Sequence, residues 1–147
     1  MELNGEKVIK ASPERVYQLL TDPAVLTQVM PGLKRLTETG PGQYQAEMEM
    51  GVAAIRGRYQ GEMQILDPDP PHAYRLKMKG QGPGGFVDVE LETRLEALPE
   101  GTRVTYRGVA QIGGKVAGVG QRLIGGVASM ILGQFFGGIE KMATASS

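Results

Sequence analysis

The sequence predicts an α+β fold in which a curved antiparallel sheet of about seven strands is wrapped round one long C-terminal helix. Two observations carry this. From about Gly42 to Ile112 apolar and polar residues alternate with period two. From Gly113 to Met142 the chain becomes a continuous apolar, glycine-rich stretch, GGKVAGVGQRLIGGVASMILGQFFGGIEKM. Period-two alternation describes strands with one wet and one buried face. The sheet therefore needs an apolar cover, and only the last stretch is large enough to supply it.

Residues Glu2 to Lys10 read as a first strand, with Leu3, Val8 and Ile9 as apolar content. Ser12-Pro13-Glu14 is a helix start: serine caps, proline suits the first turn, and glutamate suits the positive end of the dipole. Val16, Leu19 and Leu20 give that helix its apolar stripe, and Asp22-Pro23 opens a second short helix over Ala24 to Val29. Met30-Pro31-Gly32 ends it, and the two helices are expected at one end of the sheet as a clamp.

Six strands are then expected: Leu33 to Thr39, Gln43 to Met50, Ile55 to Ile65, Ala73 to Lys79, Phe86 to Leu95, and Val104 to Ile112. Gly40-Pro-Gly42, Gly51 to Ala54, Asp67 to Pro71 and Pro99-Glu-Gly101 separate them as turns and loops. Gly80 to Gly85 reads as a flexible hairpin at a cavity mouth. It has no lysine and does not lead into a helix, so it is no phosphate loop. On the helix, Val116, Val119, Leu123, Val127, Met130, Ile131 and Ile139 recur at three- and four-residue steps. Leu123 to Ile139 is free of charge and close to a membrane span in length. Arg122, Gln121 and Gln134 favour a helix buried in the protein.

The 147 residues suit a single domain over 1–147, and 16 basic against 16 acidic side chains give no net field towards nucleic acid. The absence of cysteine excludes disulfides and thiolate chemistry. With no signal-like segment at the N-terminus, a cytoplasmic protein is expected.

The inner face predicts the chemistry. Tyr44, Met48, Met50, Gly57, Tyr59, Gly61, Met63, Tyr74, Leu76, Met78, Gly80, Val89, Leu91, Tyr106 and Gly108 are assigned inward by parity. Methionine adapts to irregular space and strand glycine permits close approach, so an incompletely filled apolar cavity is one reading. A plain packed core is the other. No Asp, Glu, His, Lys or Arg falls on this face, and His72 reads as a solvated loop residue. The residues name no catalytic group, no metal ligand and no cofactor. The candidate ligand-binding residues are Met48, Met50, Tyr59, Gly61, Met63, Tyr74, Met78, Tyr106 and Gly108 on the sheet, with Leu123, Val127 and Met130 on the helix.

The segments GEKVIKASPERVYQLLTDPAVL, VMPGLKRL, GRYQGEMQILDPDPP and GTRVTYRGVAQIGGKVAGVGQRLI, with the later FF pair, resemble the carbon monoxide dehydrogenase G-subunit family. That family lies within the polyketide-cyclase and START-like helix-grip superfamily. The resemblance covers the whole chain. It implies a hydrophobic tunnel between sheet and helix. It also implies an accessory role beside a molybdenum hydroxylase-type oxidoreductase, as carrier of a lipophilic molecule such as a quinone or lipid. Some members carry a membrane-binding tail; here the chain ends at Ala143-Thr-Ala-Ser-Ser147, so the expectation is at most transient contact at the inner face of the membrane through Phe135 and Phe136. Two further readings stay open: a docking or maturation factor with no ligand, and a cyclase- or dehydratase-type enzyme using Tyr59, Tyr74 or Tyr106.

Overall fold

Alternating segments become strands and the glycine-proline punctuation becomes turns. The structure, a computed structural model, describes residues 1–51 and 56–145, excepting the side chains at positions 116, 119 and 121. In chain order it comprises β1 (Glu2–Ile9), α1 (Pro13–Leu20), α2 (Pro23–Val29), β2 (Leu33–Gly40), β3 (Gln43–Met50) and β4 (Gly57–Asp69). There follow β5 (Ala73–Gly82), β6 (Gly85–Leu98), β7 (Gly101–Gly113), a 3₁₀ turn over Gly114–Val119 and α3 (Gln121–Thr144). The seven strands form one curved antiparallel sheet in the order β1-β7-β6-β5-β4-β3-β2. The expected fold class is therefore the observed one.

The helix starts are set as their residues require. The Ser12 hydroxyl accepts from the Arg15 amide at 3.2 Å, and the Asp22 carboxylate accepts from the Ala24 amide at 2.9 Å. The outer face of the sheet carries ion pairs such as Lys77–Glu90 at 3.2 Å and Arg103–Glu96 at 3.2 Å. Exposed pairs of this kind contribute at most about 1 kcal/mol each and mark the wet face.

The packed core gathers at one end. Ile9, Val16, Val104 and Ile139 are fully buried, with Leu20 beside them. Tyr17 meets Tyr74 edge to face, with ring centroids 5.6 Å apart. The two short helices thus close one end of the sheet, with the C-terminal part of α3 seated on them.

Several element bounds differ from the sequence expectation, β6 and β7 by running further towards their shared turn, as Gly85–Leu98 and Gly101–Gly113. The long helix begins at Gln121, not Gly113, because Gly114 (φ +80°) and Gly120 (φ +100°) adopt left-handed backbone that interrupts any α-helix. Strand β4 runs on to Asp69, with a register shift between Leu66 and Asp69, so the loop read at Asp67 shrinks to its last residues. Strand β5 continues to Gly82, leaving only Pro83 and Gly84 between it and β6, so the Gly80 hairpin is a tight turn. Ile55 and the turn residues 52–54 lie outside the described residues, as do the side chains of Val116 and Val119.

A further correction concerns burial. Arg122–Thr144 is long and apolar enough to cross a bilayer, yet only 17% of its most apolar stretch is buried inside the protein. Phe135, Phe136 and Ile139 are buried, whereas Leu123 is 48% and Met130 44% exposed. The cause is geometric: α3 meets α1 and α2 at its C-terminal end, while its N-terminal half stands off the sheet. Phe135 and Phe136 are turned into the protein, each 8% exposed. They pack on each other at 5.0 Å, and Phe136 stacks on Tyr106 at 5.2 Å.

Candidate ligand cavity

Where α3 stands off the sheet, a cavity of about 250 Å³ remains. Its floor comes from the inward positions of β3 to β7: Met48, Met50, Tyr59, Leu76, Met78, Gly80, Val87, Val89, Leu91, Ala110 and Ile112. Its roof is one face of α3, with Leu123, Ile124, Val127, Ala128, Ile131 and Leu132, and Met30 and Pro31 close it beyond α2. These are almost entirely carbon and sulfur surfaces, and among the described residues the Tyr59 ring is the one aromatic wall. Met1, Leu3, Ala128 and Leu132 also border an open cleft of about 550 Å³ between β1 and α3, so the cavity adjoins an opening on that side.

Of the residues expected to bind a ligand, Met48, Met50, Tyr59, Met78, Leu123 and Val127 are brought together here. Gly61, Met63, Tyr74, Tyr106, Gly108 and Met130 lie elsewhere. Met63 and Tyr74 share the inner face but belong to the packed end. Tyr106 borders the open cleft, against Phe136. Met130 points off the roof face into solvent.

The two glycines have a different cause. A Cβ at Gly61 would overlap the Lys79 carbonyl oxygen, and one at Gly108 the Glu90 carbonyl oxygen. Both are sites where the neighbouring strand's backbone comes close, so they shape the bend of the sheet and open no space for a ligand. Gly80 is the glycine that does face the cavity: a Cβ there would meet only the Met48 methyl, at 3.2 Å. Continuing the parity of β7 past Gly108 to Ala110 and Ile112, and of β6 back to Val87, finds most of the remaining floor.

The family model for the carbon monoxide dehydrogenase G subunit (CoxG) matches residues 5–144. The chain belongs to the CoxG family. A conserved protein from Geobacillus kaustophilus is 36% identical, with 97% of this chain and 95% of that one covered and a TM-score of 0.94. A START superfamily protein from Mycobacterium smegmatis shares the fold at 14% identity, covering 97% and 96% of the two chains with a TM-score of 0.74. A protein from Chromobacterium violaceum does so at 16% identity, covering 99% and 98%, with a TM-score of 0.76. No curated protein matches the sequence.

In this CoxG chain the tyrosines divide by partner. Tyr17 donates to the Ala73 carbonyl at 3.1 Å. Burial pushes the Tyr74 phenol far above its ordinary value, with the neighbouring Thr93 acting weakly the other way. Burial likewise raises Tyr44, helped by the negative charges of Glu38 and Asp22. The Tyr59 hydroxyl is buried and has no hydrogen-bond partner among the described residues. Leaving such a group unpaired costs about 1–3 kcal/mol. Among the described residues no three His, Asp or Glu side chains converge as a metal site would need.

Proposed function

We propose that this CoxG-family protein is a non-catalytic carrier of a lipophilic small molecule, a quinone or a lipid, held between the sheet and α3. It would serve a molybdenum-containing, carbon monoxide dehydrogenase-like oxidoreductase, in the cytoplasm or at the inner face of the membrane. The observation that carries this reading is the apolar cavity itself. An empty space of about 250 Å³ lined by Met48, Met50, Met78 and Val127 favours an apolar guest over water, which needs polar partners to be held. Its size corresponds to roughly eight waters of liquid, enough for one ring system and too small for a long chain as well. A prenylated guest would place its ring inside and run its tail along the cleft between β1 and α3. The enzyme reading has less support, since of Tyr59, Tyr74 and Tyr106 only Tyr59 reaches the cavity.

Native mass spectrometry of protein purified gently from its own host, followed by solvent extraction, tests this. The wild type should retain a lipophilic molecule, and Gly80→Leu, whose side chain enters the cavity against the flexible end of Met48, should lose it. A clean apoprotein mass for the wild type, or equal retention by both proteins, counts against the carrier.

A further inference from the structure

We propose that the free edge of β1 docks an extended segment of a partner protein, added as an antiparallel strand, basic at alternate positions and apolar between them. The site goes beyond the carrier reading and does not rest on it.

The backbone of β1 decides the geometry. Met1 donates to the Ala110 carbonyl at 2.9 Å, and the Ala110 amide donates to the Met1 carbonyl at 2.8 Å. The register from there to Ile9 has no shift, so the odd positions of β1 bond to β7. At the far end the Ile9 carbonyl likewise points to β7, beside Gly101. Glu2, Asn4 and Glu6 therefore turn their N–H and C=O groups away from β7, along the outer edge of the sheet. These groups have no hydrogen-bond partner among the described residues, and all three residues line the cleft of about 550 Å³ between β1 and α3.

Across that cleft α3 presents Gly125, Ser129 and Gly133, one turn apart, which are too small to cover the edge. The Lys7–Glu140 pair at 3.6 Å closes the slot at its far end. Natural sheets ordinarily cover, shorten or distort their edges. The other outer strand, β2, is distorted, with register shifts at Leu33/Arg35 and Glu38/Gly40. Strand β1 is regular and open from Glu2 to Glu6.

Charge selects the occupant. Side chains of an added strand that stand opposite Glu2, Asn4 and Glu6 share their outer face, where opposite charges attract and like charges repel. Glu6 shares its charge with Arg103 at 3.5 Å, whereas Glu2 has no ion pair among the described residues. A second copy is disfavoured, because antiparallel pairing of two β1 strands about Asn4 would set Glu2 against Glu6. The alternate side chains of the added strand would meet Leu3, Tyr106 and Leu132, which favours apolar residues there.

The probe is a terminally blocked heptapeptide of alternating lysine and valine, titrated into the full chain. A docked strand and the tail of a prenylated guest would exclude each other from the cleft, so the protein used is free of retained guest. The lysine peptide should bind, and a glutamate–valine peptide should not. In the docked strand lysine amides face β1 and valine amides face away. A backbone N-methyl group on the central lysine should therefore weaken binding about tenfold, and one on a neighbouring valine should leave it unchanged. Hydrogen exchange should show the amides of Asn4 and Glu6 open in the free protein and protected by the peptide. No binding of the lysine peptide, equal binding of the glutamate peptide, equal effects of the two methyl groups, or unchanged exchange at Asn4 and Glu6 would each overturn the docking site.

Discussion

Two adjacent glycines near the end of α3 give opposite expectations for the same change. Gly137 has nothing within 4 Å of where a Cβ would stand, whereas a Cβ on Gly138 would lie 2.8 Å from both Cβ and Cγ1 of Val29 on α2. Replacing glycine by alanine inside a helix stabilises by about 1 kcal/mol when nothing obstructs it. Gly137→Ala should show that gain. In Gly138→Ala the same gain is opposed by overpacking, which costs typically about 1–3 kcal/mol. The obstruction is the branched stem of Val29, next to its backbone, which has little freedom to move. Gly138→Ala should therefore fall between neutral and about 2 kcal/mol destabilising, a split of about 1–3 kcal/mol from its neighbour. At roughly 2–4 °C per kcal/mol for a domain of this size, the two variants should melt about 2–12 °C apart. Parallel thermal and urea unfolding of the two proteins reads this directly. Equal stabilisation by both would mean that α3 is not seated on α2 at Gly138, and the roof of the cavity would then be misplaced.

Gly125 and Gly126 belong to the exposed half of α3, with nothing within 4 Å of a Cβ at either, so the double change to alanine should stabilise that half by about 2 kcal/mol and lower its locally open population roughly 30-fold. Hydrogen exchange of the amides from Leu123 to Ile131 should show this protection, and ligand release should slow with it; unchanged release would assign the exit to the cleft beside β1. Because the buried Tyr74 phenol titrates well above its unfolded value of 10.0, the folded state holds a proton that the unfolded state has lost. Its contribution is complete below pH 10.0 and is lost as pH rises from there towards the folded value, so stability should fall on the alkaline side and Tyr74→Phe should flatten that limb.

The parts of this architecture that are legible in the sequence are those decided by local chemistry. Strand Gln43–Met50 is observed with the bounds its alternation predicts, and both short helices start where Ser12 and Asp22 place them. Parity assigns the inner face correctly for Met48, Tyr59, Met63, Tyr74 and Met78 alike. It does not say where along a bent strand each residue falls. Met63 and Met78 pair across β4 and β5, yet Met63 is 2% exposed in the packed end while Met78 borders the cavity. That distinction depends on where the helices close the sheet. The burial of α3 is hidden for a related reason: an apolar stretch with helical spacing looks the same whether or not a sheet lies beneath it. Gly61 and Gly108 mislead because an absent side chain signals close approach without naming what approaches.

The two ends of this molecule make opposite demands on its sequence. At the closed end Ile9, Val16, Leu20, Val104 and Ile139 exclude solvent almost completely, and α3 is held there by Phe135, Phe136 and Ile139. At the other end the same helix carries Gly125, Gly126 and Gly133 with open space around each. Each lowers helix stability by about 1 kcal/mol relative to alanine. Two more glycines, Gly137 and Gly138, sit at the closed end, where Gly138 makes room for Val29, so most of the helix glycines that face open space lie in its looser half. Stability concentrated at one end and a yielding cover at the other is the distribution expected when an element must open without unfolding the domain. The position of these glycines and the cavity below them thus have one explanation in common on the carrier reading. On the carrier reading proposed above, a guest would arrive and leave past α3.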